Sequence, residues 1–410
     1  MKTFKVYIAI SIALLVSCKQ KTKEENTMKS TTEKHAPTTG SLKYDLDFLK
    51  EHDDNLIVLS QDSSRVIVSA KYQAKVFTSS AQAEKGLSFG WINYKAFDGP
   101  EDAHMNAYGG ENRFWLGPEG NRFSLYFPPK SEMVFENWKT PSAFDTESWD
   151  IKSKNDTQVN MTKEMSLQNY QGTQLDIRVN RSVKIFGKSQ MASLLNVNLD
   201  AIKSVGYETN NSIENTGDNN WTKDTGAPCI WMLDMFNPSS QTTIVIPYNE
   251  DAPGKVATTD YFGQIPPDRV THKEGTLFFK ADGKSRGKLG LSPKRARTVA
   301  GSYDALNKVL TITLFQVDEN ATYLNQEWNT TANPLQGDAV NAYNDGPLED
   351  GSQMGPFYEI ESVSPAAFLK PGEKLSHTHS VFHLMGDEDK LDTVSQHVFG
   401  VSLQEITTAL

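Results

Sequence analysis

Cysteine is almost missing from this chain: 410 residues contain two, Cys18 and Cys229, so no disulfide framework can hold the fold. Positive charge is also in deficit. Lys and Arg total 41 against 51 Asp and Glu, a formal net charge of −10, and a chain without a basic footprint is poorly suited to nucleic acid. The conspicuous apolar run, Val6 to Val16, falls short of the ~20 residues that cross a bilayer as a helix, so no transmembrane helix is expected in the mature chain. No Gly-rich phosphate loop, dinucleotide fingerprint or serine nucleophile elbow occurs in a plausible context, and no cofactor is expected. No repeat of solenoid or propeller length stands out either. What remains is ordinary: 38% hydrophobic, 22% charged and 10% aromatic residues. That composition buries a core and excludes a disordered or collagen-like protein. The length allows two or three domains of ~150 residues, although all-β folds often keep ~250 in one.

The N-terminus carries an address. Lys2 and Lys5 form a positive region ahead of the apolar run, as in a secretory signal. Leu15-Val16-Ser17-Cys18 then resembles the lipobox of bacterial lipoproteins. The resemblance implies cleavage before Cys18 and acylation of that cysteine, and each buried CH₂ of the acyl chains would contribute ~0.8 kcal/mol to membrane anchoring. Residues 1–17 are therefore expected to be a signal peptide. Residues 18–41, polar and without apolar period, would be the lipidated cysteine and a flexible tether, and 42–410 the folded domain. Lys19 follows the cysteine where an inner-membrane retention aspartate would stand, so an outer-membrane lipoprotein is expected, facing either the periplasm or the exterior. Cys229 is left alone in Pro228-Cys229-Ile230-Trp231 and reads as a small buried hydrophobe.

From Tyr44 onward the pattern is of strands. Leu175, Ile177, Val179, Val183 and Ile185 share one face, interrupted by Arg181, while Asp176, Arg178, Asn180, Ser182 and Lys184 share the other. Such period-two alternation predicts a sheet with one buried side. Arg65–Phe77, Asn121–Phe127, Thr276–Ala281, Lys288–Leu291 and Val309–Val317 read as further strands, with Asp282-Gly283 as a turn between the third and fourth. Stretches near 247–268 and 333–356 read as long loops, and Asn341–Gly346 as a solvated turn. Helical signals are few, at Tyr44–His52 and 389–397. The expected fold class is all-β, a large antiparallel β-sandwich with few short helices.

Several polar residues stand out within this pattern. Gly109 and Gly110 permit a close approach of backbone to a ligand or a neighbouring strand. Arg113 and Trp115, two apart, project from one face of a strand. A guanidinium beside an indole suits a sugar, and equally a core tryptophan with an arginine paired to an acid. His104 and Asn106 could line the same cleft or a loop surface. Glu359 and Glu361 share one face of the strand FYEIES, and two carboxylates so placed raise one pKa when enclosed, as a general base requires. The plainer reading pairs one of them with Arg113. His377, His379 and His383 share a strand face. His-x-His is a spacing metals use, but His377 and His383 lie ~20 Å apart along a flat strand, so no metal is assigned. His379 remains a candidate proton donor.

Three segments, in order, resemble the galactose-mutarotase-like superfamily, also called the supersandwich: Tyr108–Glu119 (YGGENRFWLGPE), Asn215-Thr216-Gly217-Asp218, and Phe357–Glu373 (FYEIESVSPAAFLKPGE). The resemblance implies a carbohydrate ligand and makes Glu361 the match to the base that deprotonates the anomeric hydroxyl, with Glu359 the alternative. The chain departs from the family where a histidine acid is usual: Gly226–Phe236 (GAPCIWMLDMF) has none. Trp231 offers an apolar wall there, and Asp234 could substitute only with its pKa strongly raised. Two functions follow as expectations: a lipid-anchored protein that binds sugar in a mutarotase-like cleft, or an epimerase-like isomerase using Glu361.

Overall fold

The computed structural model describes residues 38–410; Cys18 and the signal sequence lie outside them. The described chain opens on helix Leu42–His52, whose cap Ser41 accepts from the Tyr44 amide at 3.4 Å. An unpaired first-turn amide is thereby satisfied. Leu42, Leu46 and Leu49, at helical spacing, are buried. They pack with Ile67, Phe77 and Ile92 against a three-stranded sheet formed by Ile57–Gln61, Ser64–Ser69 and Lys75–Ser80.

Two larger antiparallel sheets follow. The ten-stranded sheet runs, edge to edge, Val270–Lys273, Thr276–Lys280, Thr242–Pro247, Val299–Asp304, Val309–Phe315, Lys374–Met385, Lys203–Asn215, Gln174–Ile185, Gln158–Gln168 and Asp150–Lys154. The five-stranded sheet runs Gly287–Leu291, Val340–Asn344, Tyr358–Val363, Cys229–Phe236 and Arg113–Gly117. Ile177, Val179, Tyr207 and Val381 of the large sheet share one core with Phe114, Leu116, Met232 and Ile360 of the small one. The two form a β-sandwich whose inner faces interdigitate. Leu310, Ile312, Phe382 and Leu384 point the other way and pack under helices Lys188–Leu195, Glu388–Phe399 and Leu403–Thr408. Central strands buried on both faces read as continuous apolar runs, as Val309–Phe315 does. Among the described residues no helix is long and apolar enough to cross a membrane.

The alternation of 175–185 is reproduced, its odd positions buried. Arg181 is the exception that explains itself. Its side chain is buried, with Nε donating to Ala74 O at 2.8 Å and the terminal nitrogens to Asn211 Oδ1 and Asn112 Oδ1, both at 2.6 Å.

Four expectations are corrected. Arg65–Phe77 is not one strand but parts of two, because Gln73 and Ala74 turn the chain with φ of 63° and 51°. No glycine or proline announces that turn. Asn121–Phe127 is a turn-rich segment rather than a strand: Asn121 has φ 63°, and its side chain accepts from the Phe123 amide at 2.7 Å. The segment at Asp282-Gly283 joins strands of different sheets, so the flanking strands do not pair with each other. Asn341–Asn344 is strand, buried in the small sheet, rather than a solvated turn.

Candidate functional site

The outer face of the small sheet, turned away from the ten-stranded sheet, gathers polar side chains by register alone. Arg113 lies opposite Leu233, Leu233 opposite Glu361, Glu361 opposite Asn341, and Asn341 opposite Gly290. One step along, Lys288, Tyr343, Glu359 and Met235 form a parallel row. Trp115 and Trp231 pair in a third. Since residues directly opposite share a face, all of these side chains belong to one surface.

Glu361 is fully buried. One oxygen, Oε2, accepts from Trp231 Nε1 at 2.8 Å and from Lys288 Nζ at 3.0 Å. The Lys288 ammonium also lies 4.7 Å from the Trp231 ring centre. Arg113 pairs with Glu359, and its guanidinium carbon stands 5.1 Å from the centre of Trp115. Trp115 meets Trp231 edge to face at 5.6 Å.

The charges are held at a cost. Burial pushes the Glu359 carboxyl up to about 7, against the pull of Arg113 and with reinforcement from Glu361. Burial also disfavours the Lys288 ammonium, yet Glu361, Glu119 and Glu359 together outweigh it and the Lys288 pKa is raised. Glu119 is pushed up by burial, with Lys288 opposing. At the edge, Lys75 donates to Gly109 O at 3.0 Å, and burial, then Arg113, brings its pKa down to about 7.

Three buried atoms on this face have no hydrogen-bond partner: Arg113 Nε, Glu361 Oε1 and Asn341 Oδ1. A buried unpaired polar atom costs ~1–3 kcal/mol, so a donor and two acceptors held this way form a surface suited to a polar ligand. Loops build the walls. Tyr261 donates to Asp338 Oδ2 at 2.7 Å and its ring centre lies 5.8 Å from Lys288 Nζ. Trp138 and Trp328 stack at 6.1 Å, and Glu119, whose amide donates to Gln326 Oε1 at 2.6 Å, is near enough to act on Lys288.

The structure thus brings Glu361, Glu359, Arg113, Trp115 and Trp231 together. His104 and Asn106 sit on the flanking loop. His104 Nδ1 is 2.6 Å from Trp138 O, and Asn106 Nδ2 donates to Asp145 Oδ2 at 2.9 Å. Gly109 approaches a neighbouring strand-like segment, where an added Cβ would stand 2.3 Å from Trp91 O. His379 is elsewhere. It belongs to the inner face, with Nε2 2.7 Å from Asp234 Oδ2 and Nδ1 2.8 Å from Ser362 Oγ, and Ser362 also reaches His377 Nε2 at 2.8 Å. Ser362 alternates with Glu361 along its strand, so its side chain and His379 lie across the sheet from the carboxylates. Ser362, His379 and Asp234 have the bonding order of a hydrolytic triad, but they are buried on the inner face, between the two sheets. Cys229 is buried too, its thiol pushed up to about 12 by burial.

Sequence reasoning missed Lys288 and Asn341. The available signal was parity: in Gly287-Lys288-Leu289-Gly290-Leu291 a lysine alternates with leucines beside glycines, a pattern for a strand with one polar face.

A model of a family of unknown function (DUF6786) matches residues 40–410. No curated protein matches the sequence. Among solved structures, a putative aldose 1-epimerase from Escherichia coli K12 is similar at 12% identity, covering 80% of this chain and 98% of that one with a TM-score of 0.49. A galactose mutarotase-like protein from Lactobacillus casei ATCC 334 is similar at 10% identity, covering 80% and 100%, TM-score 0.46. The Slr1438 protein from Synechocystis sp. PCC 6803 is similar at 10% identity, covering 81% and 96%, TM-score 0.49.

Proposed function

Because the chain belongs to the DUF6786 family, whose function is unknown, we propose a function from the geometry: the outer face of the small sheet is a carbohydrate-interacting cleft. The observation that carries this reading is the set of unpartnered atoms, Arg113 Nε, Glu361 Oε1 and Asn341 Oδ1, beside the indoles of Trp115 and Trp231. A sugar hydroxyl both accepts and donates, so one polyol ring satisfies the guanidinium and both oxygens. Its C–H face packs on an indole, as an amphipathic aromatic favours.

A second reading is an isomerase with Glu361 as general base. The free Oε1 would take the anomeric proton, while Lys288 and Trp231 hold Oε2. His379, across the sheet, has no part in it. Lys288 is the charged donor nearest the base, and proton return to the ring oxygen would fall to it.

Saturation-transfer NMR of the protein against mono- and oligosaccharides tests both readings. Binding with accelerated anomeric exchange that Glu361→Gln abolishes supports the enzyme. Binding without exchange leaves the sugar-binding protein. No binding to any saccharide rejects the cleft.

We propose also that Cys18 carries a lipid anchor at the outer membrane, from the lipobox-like Leu15-Val16-Ser17-Cys18. Labelled palmitate incorporated by the wild type and lost in Cys18→Ser is the expected result; equal labelling of both, or of neither, rejects it. Membrane fractionation and protease accessibility then read which membrane and which side.

A further inference from the structure

One aromatic row leads from the carboxylates to the surface. Trp231, bonded to Glu361, meets Trp115 at 5.6 Å; Trp115 meets Tyr126 at 5.6 Å; Tyr126 stacks on Trp138 at 5.9 Å and 9°; Trp138 stacks on Phe135 at 6.1 Å and 18°. The first four rings are buried, whereas Phe135 is 57% exposed. An isolated exposed phenylalanine is unremarkable, but this one is clamped. His104 stacks on it at 4.5 Å and 22°, and the His104 ring is itself fixed by its contact with Trp138 O. Trp328, half-buried, stacks on Trp138 at 24°. Near-parallel rings held by their neighbours, with Phe135 exposed and His104 and Trp328 half-buried, form a rigid apolar plate that a sugar's C–H face can cover with little loss of side-chain entropy. The Trp138 and Trp328 indoles both act as donors toward the half-buried Glu119 carboxyl, which stands between plate and cleft.

We propose that Phe135, Trp138, Trp328 and His104 form a second sugar subsite, so that the ligand is an oligosaccharide whose one ring occupies the Glu361 cleft and whose neighbouring ring lies on this plate. The inference rests on the saccharide reading of the cleft. A free monosaccharide leaves the plate uncovered, while a second ring adds stacking contact outside the sheet face.

Titration calorimetry with glucose and galactose, set against the di- and trisaccharides of the cello-, malto- and galacto- series, reads this directly. At least one oligosaccharide should bind roughly five- to tenfold tighter than its monosaccharide, the scale of one aromatic stacking contact. Phe135→Ala should remove that increment and leave monosaccharide affinity unchanged. Phe135 is exposed, so the variant is not expected to lose its fold; Leu306→Ala, at an equally exposed site in a turn of the ten-stranded sheet, should change neither affinity. Equal affinities for short and long sugars, or a Phe135→Ala loss shared equally by both, overturns the second subsite while the cleft stands. Failure of every sugar to bind overturns the cleft reading and the subsite with it.

Discussion

Lys288 Nζ lies 3.0 Å from Glu361 Oε2, with the two side chains 7% and 0% exposed. The pair is effectively out of water, and each charge is tolerable only because of the other. Lys288→Met would leave Glu361 buried with only an indole N–H, and removal of one partner of a buried pair costs ~3–5 kcal/mol. Urea unfolding should show that loss for Lys288→Met and a much smaller loss for Lys288→Met combined with Glu361→Gln. Additive single and double losses would show that the two charges are not coupled.

Glu359 gives stability a pH dependence of known sign. Its folded pKa, raised to about 7 by burial against Arg113, exceeds the ordinary carboxylate value, so between about 4.5 and 7 the folded chain binds more protons than the unfolded one. Stability from this group falls as pH rises through that window. His377 acts oppositely: burial, then His379, lowers its pKa to about 3, and its contribution falls as pH drops below 6.5. The difference between wild type and Glu359→Gln isolates the carboxyl. The wild type should lose stability relative to the variant from pH 5 to 7, measured by unfolding midpoints. A flat difference would place Glu359 at an ordinary pKa.

Arg181 should be among the most sensitive positions in the chain. Its guanidinium serves four acceptors from three segments, Ala74 O, Asn211 Oδ1, Asn112 Oδ1 and Asn112 O. Arg181→Leu preserves bulk but strands those acceptors at ~1–3 kcal/mol each, a loss of at least ~3 kcal/mol. Lys should rescue little of it, because an ammonium lacks the planar fork. Chemical denaturation of both variants checks this, and a Lys variant near wild type would contradict it.

Parity explains both what was legible and what was not. The buried face of 175–185, the shared face of Glu359 and Glu361, and the shared face of the three histidines all follow from a period of two. Parity does not say which face of which sheet meets solvent. That depends on pairing between residues more than a hundred positions apart, such as Arg113 with Glu359, and it is why His379 looked like a neighbour of the carboxylates. Lys288 was overlooked because a lone lysine in a five-residue strand ordinarily marks a solvated side, and only its partners across the sheet reveal a buried one. Asn121–Phe127 misled for the converse reason. Its residues from Phe123 to Phe127 are all buried by a turn in which the Asn121 side chain accepts from the Phe123 amide, so an apolar run is buried without a strand.

The division of the small sheet into two faces yields a test that separates structure from ligand chemistry. His379 joins Asp234 and Ser362 on the inner face, where Asp234 also accepts from Asn112 Nδ2 at 2.7 Å. His379→Leu removes one hydrogen-bond partner of a buried carboxyl group and should cost ~1–3 kcal/mol. The outer face would keep its register, since the strand carrying Glu361 pairs with its neighbours through backbone bonds the substitution does not touch. Glu361→Gln acts on the outer face, where the amide still fills the site but the buried Lys288 ammonium loses its carboxylate partner. Saccharide affinity measured well below the unfolding midpoint should therefore be unchanged in His379→Leu and reduced in Glu361→Gln, while urea stability falls in both, through Asp234 in the first and through the unpaired Lys288 ammonium in the second. Loss of affinity in a folded His379→Leu protein would mean that the two faces are coupled through the strand, and that His379 acts on the cleft as a positioning residue.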